Sequence, residues 1–211
     1  MNKQAIWDFW AKRYDRLWVQ KYSLEPTRRE ILLFLKEKLK ADKNYKILDV
    51  GCGTGQLLRE LKARYPKSKL ELRGIDFSKE MIQNATEKDN NISYQQIDVR
   101  NISNIDERFD FVLCTHSFPY YENQSMAISQ FADSLNAGGY LLLAQASQNT
   151  LYDQLVLSLV KLTTGKANYP SVNSILEMTE TSFECETIIK IKERFFMPSI
   201  YLFILVKRNF T

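Results

Sequence analysis

Histidine is nearly absent from this chain. His116 is the only one, which excludes a metal centre built from several imidazoles. The three cysteines, Cys52, Cys114 and Cys185, are far apart and form no CxxC pair. That spacing argues against a disulfide scaffold or a zinc module. The longest apolar stretch, Phe195 to Val206, contains Pro198 and is too short to span a bilayer. The first ten residues, MNKQAIWDFW, are charged and aromatic and lack the apolar run and small-residue site of a signal peptide, so a cytoplasmic protein without a membrane span is expected. Charge of one sign is also missing. Lys plus Arg is 29 against 25 for Asp plus Glu, a net charge of +4, which gives no nucleic-acid signal. Residues 21–46 hold eight basic and four acidic side chains; the excess lies on a predicted helix and its loop, and reads as a solvated face.

What is present is ordinary globular material. Hydrophobic residues make up 45% and charged residues 26% of 211, enough for one domain with a sizeable core. No repeat, low-complexity tract or Gly/Ser linker interrupts it. Trp7, Trp10, Tyr14 and Trp18 recur at three- and four-residue steps, which predicts one amphipathic helix with an aromatic stripe. A second helix is predicted after Ser23 as its N-cap, with Pro26 in the first turn. Strand and helix signals then alternate: strands at YKILDV, KLELRGI, ISYQQIDV, FDFVLCT and YLLLAQA, with helices between them. This is the spacing of βαβ units. Thr150 to Thr163 reads as an extra amphipathic helix and SVNSILEMTE as a short one. The runs FECETIIKI and SIYLFILVK lie too close together for a parallel crossover, so an antiparallel hairpin is expected at one edge. The expected fold class is α/β: a Rossmann-like, seven-stranded, mostly parallel sheet with a C-terminal antiparallel hairpin and helices on both faces. The expected organisation is a helical cap (1–42), a core (45–146), a helical insertion (148–170) and a terminal helix with the hairpin (171–211).

The strongest motif is Ile47-Leu48-Asp49-Val50-Gly51-Cys52-Gly53-Thr54-Gly55, between a strand and a helix. Glycines let the backbone turn sharply and approach a ligand closely, and the following helix offers free N–H groups. Three of the seven glycines fall in five residues. The spacing is GxGxG. A dinucleotide fingerprint needs its third glycine where Gln56 stands, and a P-loop needs Lys-Ser/Thr after its last glycine. The second motif, Gly74-Ile75-Asp76-Phe77-Ser78, puts an acid at the next strand end, where it can take two ribose hydroxyls or cap the next helix. Asp98, after the third strand, can accept from an adenine amine or serve a turn.

Together these residues resemble the class I S-adenosylmethionine-dependent methyltransferases, particularly the small single-domain type, over roughly Tyr45 to Leu143. Phe109-Asp110-Phe111-Val112 resembles the family's fourth strand and Leu135 to Leu141 its turn into the fifth. Ala11 to Asp15 resembles an N-terminal helix that closes over the cofactor, and Pro26-Thr27-Arg28 a stretch that brings an arginine to the methionine carboxylate. The resemblance implies S-adenosyl-L-methionine as cofactor and no metal. It implies a cofactor shell of Tyr14, Arg28, Asp49, Gly51, Cys52, Gly53, Gly55, Asp76, Phe77, Met81, Asp98, Val99 and Thr115. Ser117-Phe118-Pro119-Tyr120 is similar to the (N/D/S)PPY motif of base and amide methylation, but has Phe at the second position and falls too late.

His116 ends the fourth strand near the expected methyl position. It is the candidate general base, expected to titrate near an unperturbed value of about 6–7, or else a wall of the pocket. The expected acceptor is a small apolar or aromatic molecule, methylated on O or N. It would be met by the aromatic helix, the HSFPYYEN loop with Phe118, Tyr120 and Tyr121, and the insertion with Tyr152 and Tyr169. The alternatives are an RNA or protein methyltransferase, a non-catalytic nucleoside-binding protein, and an aminopropyl transferase. The last would want paired acids after the fourth strand, where Thr115-His116-Ser117 stands. The oligomeric state is left open.

Overall fold

Consecutive apolar pairs decide the layers. Ile47 and Leu48 are neighbours on one strand, so their side chains leave opposite faces, and both are fully buried. A strand buried on both faces is the mark of a sheet covered by helices on each side. The computed structural model describes residues 3–11, 14–16, 20–148, 153, 157, 167–192 and 198–209. Its strands are β1 (Asn44–Val50), β2 (Lys69–Asp76), β3 (Ser93–Gln96), β4 (Phe109–Thr115), β5 (Leu135–Ala146), β6 (Phe183–Ile191) and β7 (Ile200–Lys207). They form one sheet in the order β3-β2-β1-β4-β5-β7-β6, the seven-stranded, mostly parallel sheet that was expected.

The helices are α1 (Lys3–Ala11), α2 (Glu25–Lys38), α3 (Gln56–Arg64), α4 (Lys79–Lys88), α5 (Gln124–Ser134) and α6 (Val172–Thr179). One face of the sheet packs Ile47, Phe111, Leu142 and Ile204 against Ile31 and Leu35 of α2 and Leu57, Leu58 and Leu61 of α3. The other packs Leu48, Val112, Leu143 and Phe203 against Ala127, Ile128 and Phe131 of α5 and Ile175 of α6. Among the described residues no helix is long and apolar enough to cross a membrane.

Four local expectations change. The aromatic stripe does not ride on one α-helix: α1 is described over Lys3–Ala11, and Tyr14 stands on a 3-10 turn, Tyr14–Arg16. Trp18 lies outside the described residues. Ser23 is not the N-cap of α2; a π-helical turn, Gln20–Leu24, runs straight into it, and the capping position is Leu24. The Ser23 carbonyl instead accepts from Thr27 Oγ1 at 2.8 Å. The terminal hairpin sits at the sheet edge as expected, but only β7 runs against the rest. It is antiparallel to both β5 and β6, which leaves the outermost β6 parallel to β5. Finally, β5 starts at Leu135 rather than Tyr140, with a register shift against β4 between Phe109 and Phe111 that absorbs the NAGG turn. Of the expected insertion helix, only Asp153 and Leu157 are described before residue 167, both helical and buried.

Candidate functional site

The order of strands reverses between β1 and β4, which pair in parallel through Leu48 and Val112. Ligands of open α/β sheets bind in the crevice beyond the strand ends at such a switch point. Gly51 leaves β1 there and His116 leaves β4. The loop after β1 is folded back by two hydrogen bonds, from Gly51 N and Cys52 N to the Ile75 carbonyl at 2.8 and 3.0 Å. Gly51, Gly53 and Gly55 all have positive φ, a region costly for other residues. A Cβ at Gly51 would lie 2.4 Å from the Ser117 Cβ, so this glycine lets the β4 loop close against the β1 loop.

A cavity of about 570 Å³ opens beyond these strand ends. Gly51, Gly53, Asp76, Phe77, Met81, Asp98, Val99 and Thr115 line it, with His116, Gln4, Trp7, Tyr14, Tyr120 and Tyr121. A smaller one of about 40 Å³ adjoins it around Gly51, Gly53, Tyr14, Thr115 and His116, and adds Arg28, Asp49, Cys52, Gln20 and Gln56. The structure therefore brings together every residue of the expected shell except Gly55, which lines neither. Gly55 is explained by packing: a Cβ there would fall 2.3 Å from the Tyr94 hydroxyl.

Asp76 does not cap α4. That role belongs to Ser78, whose side chain accepts from Met81 N. The Asp76 carboxylate accepts from Gly53 N and Ser78 N, each at 2.9 Å, which fixes both oxygens at the cavity wall. Burial pushes its pKa up to about 6, against the pull of those N–H groups. Asp98 accepts from Arg100 N and its guanidinium at 2.9 and 3.0 Å, so it serves its turn and lines the cavity at once.

Asp49 is 1% exposed, and its Oδ1 has no hydrogen-bond partner. Burial first, and then the neighbouring Asp76, raise its pKa to about 7. A buried acceptor without a donor is costly, and a ligand that brings a cationic donor relieves it. Arg28 lies across the same small cavity, 6% exposed. Its Nε donates to Glu60 Oε1 at 3.0 Å and its Nη1 to Gln20 Oε1 at 3.2 Å. An acid and an arginine facing one cavity beside a glycine loop fit the ammonium and carboxylate of an amino-acid moiety. The fixed carboxylate of Asp76 fits a ribose, so the residues present suit S-adenosylmethionine.

His116 holds a positive φ of 60°, uncommon for a residue with a Cβ. Its Nε2 lies 2.9 Å from Thr27 Oγ1. The Thr27 hydroxyl has one proton and spends it on the Ser23 carbonyl, so Nε2 is the donor and Nδ1 keeps its lone pair. Burial and then Arg28 lower the His116 pKa to about 4. The titration expected near 6–7 is thus displaced, and the imidazole is neutral well below pH 7. Several site residues carry no sequence signal of their own. Thr27 and Glu60 act through partners 89 and 32 residues away in the chain, Gln20 through Arg28 eight residues on, and Gln56 appears only as the residue that breaks the dinucleotide spacing.

An N-terminal strap crosses the site. Trp7 meets Tyr120 edge-on at 4.9 Å between ring centroids and Tyr14 at 6.4 Å. Asp8 accepts from Ser78 Oγ at the start of α4. Asp15 accepts from Thr54 Oγ1 at 2.6 Å and pairs with Lys88. Burial pushes the Asp15 carboxyl up, but Lys88 and Thr54 outweigh it and hold it below the usual carboxylate range.

Residues 47–139 match a protein family described as "Methyltransferase domain". Over 191 residues the chain is 29% identical to malonyl-[acyl-carrier protein] O-methyltransferase 1 of Ilyobacter polytropus, covering 89% of this chain and 67% of that protein. It is 30% identical over 151 residues to a ubiquinone/menaquinone biosynthesis C-methyltransferase of Geotalea daltonii, covering 68% of this chain and 63% of that protein. Magnesium protoporphyrin IX methyltransferase from Synechocystis PCC 6803, solved with bound S-adenosylhomocysteine, superposes with a TM-score of 0.75 at 19% identity, covering 99% of this chain and all of that one. At that identity the likeness shows the fold. Against other curated relatives the chain spans less of their length, 45% of a Bacillus cereus malonyl-[acyl-carrier protein] O-methyltransferase for example.

Proposed function

We propose that the chain is a class I S-adenosylmethionine-dependent methyltransferase that methylates an O or N atom of a small, largely apolar or aromatic molecule; the match of residues 47–139 to a methyltransferase domain family supports the reading. One observation carries the choice of acceptor: the cavity beyond the cofactor residues is walled by Trp7, Tyr14, Tyr120, Tyr121 and Met126. Aromatic walls of this kind favour planar or apolar ligands through face and edge contacts. The relative named as a malonyl-[acyl-carrier protein] O-methyltransferase supports a carboxylate as the first acceptor to test. The one named as a ubiquinone/menaquinone biosynthesis C-methyltransferase supports a quinone-like ring but by its name transfers to carbon, so methylation on carbon would overturn the choice of O or N.

Arg28 and Asp49 would hold the amino-acid end of the cofactor, Asp76 its ribose, and Phe77, Met81, Asp98 and Val99 its adenine side. Bound there, S-adenosylmethionine supplies an electrophilic methyl on its sulfonium. The protein's share is alignment and exclusion of water, served by the strap through Trp7 and Tyr14. Neutral His116, with Nδ1 free to accept, takes up a proton when the acceptor is a hydroxyl or an amine. A carboxylate acceptor has no proton to lose and leaves His116 a wall.

The test is formation of S-adenosylhomocysteine from labelled cofactor with a panel of aromatic phenols, amines, quinols and malonyl thioesters, read by mass spectrometry. Transfer to any small acceptor supports the reading. Transfer only to RNA or to a protein overturns the acceptor class. Cofactor binding with no transfer to anything in a whole-cell extract overturns the catalytic reading.

A further inference from the structure

Gln56 opens α3 directly after the glycine loop and lines the small cavity beside Asp49 and Arg28. Its Nε2 donates to Glu60 Oε1 at 3.2 Å, one helical turn on. An ionised carboxylate only accepts, so Glu60 fixes which way the amide faces: the NH₂ towards Glu60 and Oε1 away from it. That Oε1 is buried and has no hydrogen-bond partner, like Asp49 Oδ1. Two lone acceptors, one of them on an acid 1% exposed, therefore belong to residues sharing one cavity of about 40 Å³. The missing counterpart is a cation with at least two N–H donors. Glu60 Oε1 also accepts from Arg28 Nε at 3.0 Å, so one carboxylate oxygen orients both Gln56 and Arg28. Those bonds to Glu60 and Gln20 use two of the five N–H donors of the guanidinium, leaving others for an anion.

We propose that Gln56 and Asp49 together receive the α-ammonium of the cofactor, and that Glu60 sets Gln56 and Arg28 jointly, so that the site selects adenosyl ligands with a complete amino-acid end. The inference rests on the methyltransferase reading and adds to it a ligand-binding residue, Gln56, and a positioning residue, Glu60.

The test is calorimetric titration with two ligands. S-adenosylhomocysteine carries the amino-acid end; 5′-methylthioadenosine keeps the nucleoside and lacks it. Gln56→Met preserves length and helix propensity and removes the acceptor. It should weaken S-adenosylhomocysteine roughly tenfold or more, the scale for stranding a charged donor, and leave 5′-methylthioadenosine unchanged. Glu60→Gln, which keeps Gln56 but removes the charge that turns its amide, should weaken the same ligand selectively. Equal losses for both ligands would mean that Gln56 only starts the helix, and no loss for either would mean that it touches nothing; each result overturns the proposal. Failure of the unmodified protein to bind S-adenosylhomocysteine would overturn the methyltransferase reading instead, which keeps the two failures distinct.

Discussion

At the residue scale the site is governed by three titratable groups held away from their ordinary pKa values, Asp49, Asp76 and His116. Asp49, raised to about 7 by burial and then by Asp76, has to be ionised to receive an ammonium. A proton and the cofactor therefore compete for it. Affinity for S-adenosylhomocysteine should rise as pH climbs through about 7 and level off above, and Asp49→Asn should flatten that rise; titrations at several pH values decide it. His116, lowered to about 4, stays neutral across the working range. If it is the base, His116→Ala lowers turnover by about 10²–10⁴, and the parent's rate has no limb at 6–7 belonging to it. A change confined to acceptor KM makes it a wall. Gly55 has φ of 73° and no room for a Cβ against Tyr94. Gly55→Ala should destabilise the fold by about 1–3 kcal/mol, the scale for forced left-handed backbone, measured by denaturant unfolding.

At the element scale the N-terminal strap is the piece whose role depends on its fastenings. Among the described residues its polar contacts to the core include Asp8 with Ser78 and with Glu80 N, and Asp15 with Thr54 and Lys88. The Asp15–Lys88 pair is part-exposed, and such pairs are weak and screened by salt. Asp15→Asn should therefore loosen the strap without unfolding the sheet. The expected result is a two- to five-fold weaker S-adenosylhomocysteine affinity, roughly the scale of one such pair, and a smaller salt dependence than in the parent. Unchanged affinity with lost turnover would assign the strap to the acceptor alone.

Across the whole molecule, the sheet carries the stability and the crevice the chemistry. β7 lies between β5 and β6, and its Phe203 is fully buried against the α5 and α6 side. Phe203→Ala should cost about 3–5 kcal/mol through lost burial and the cavity left behind, read as a lower denaturant midpoint. Because Phe203 is outside both cofactor cavities, protein that remains folded should bind S-adenosylhomocysteine as before. Impaired binding in the folded fraction would show that the hairpin and the crevice are coupled.

Much of this was legible in the chain alone because it is local. The burial of a strand and the GxGxG turn each depend on residues within a few places of one another. Order along the chain, with the right-handed crossover rule, then nearly dictates a doubly wound sheet. Gly51 and Asp76 announced themselves because backbone turns and strand-end acids have few other uses in that pattern. What the sequence could not decide rests on partners remote in the chain. The Thr27–His116 bond spans 89 residues and the Arg28–Glu60 bond 32, and both exist only once α2 packs beside the crevice. No residue pattern says that Thr27 spends its proton on Ser23, so the tautomer and the low pKa of His116 were hidden. Nor does periodicity show that Tyr14 stands on a 3-10 turn, with its ring beside Gly53, rather than on the helix of Trp7 and Trp10. Local geometry made the cofactor cradle readable, whereas long-range packing set the charge, the orientation and the cover of the groups within it.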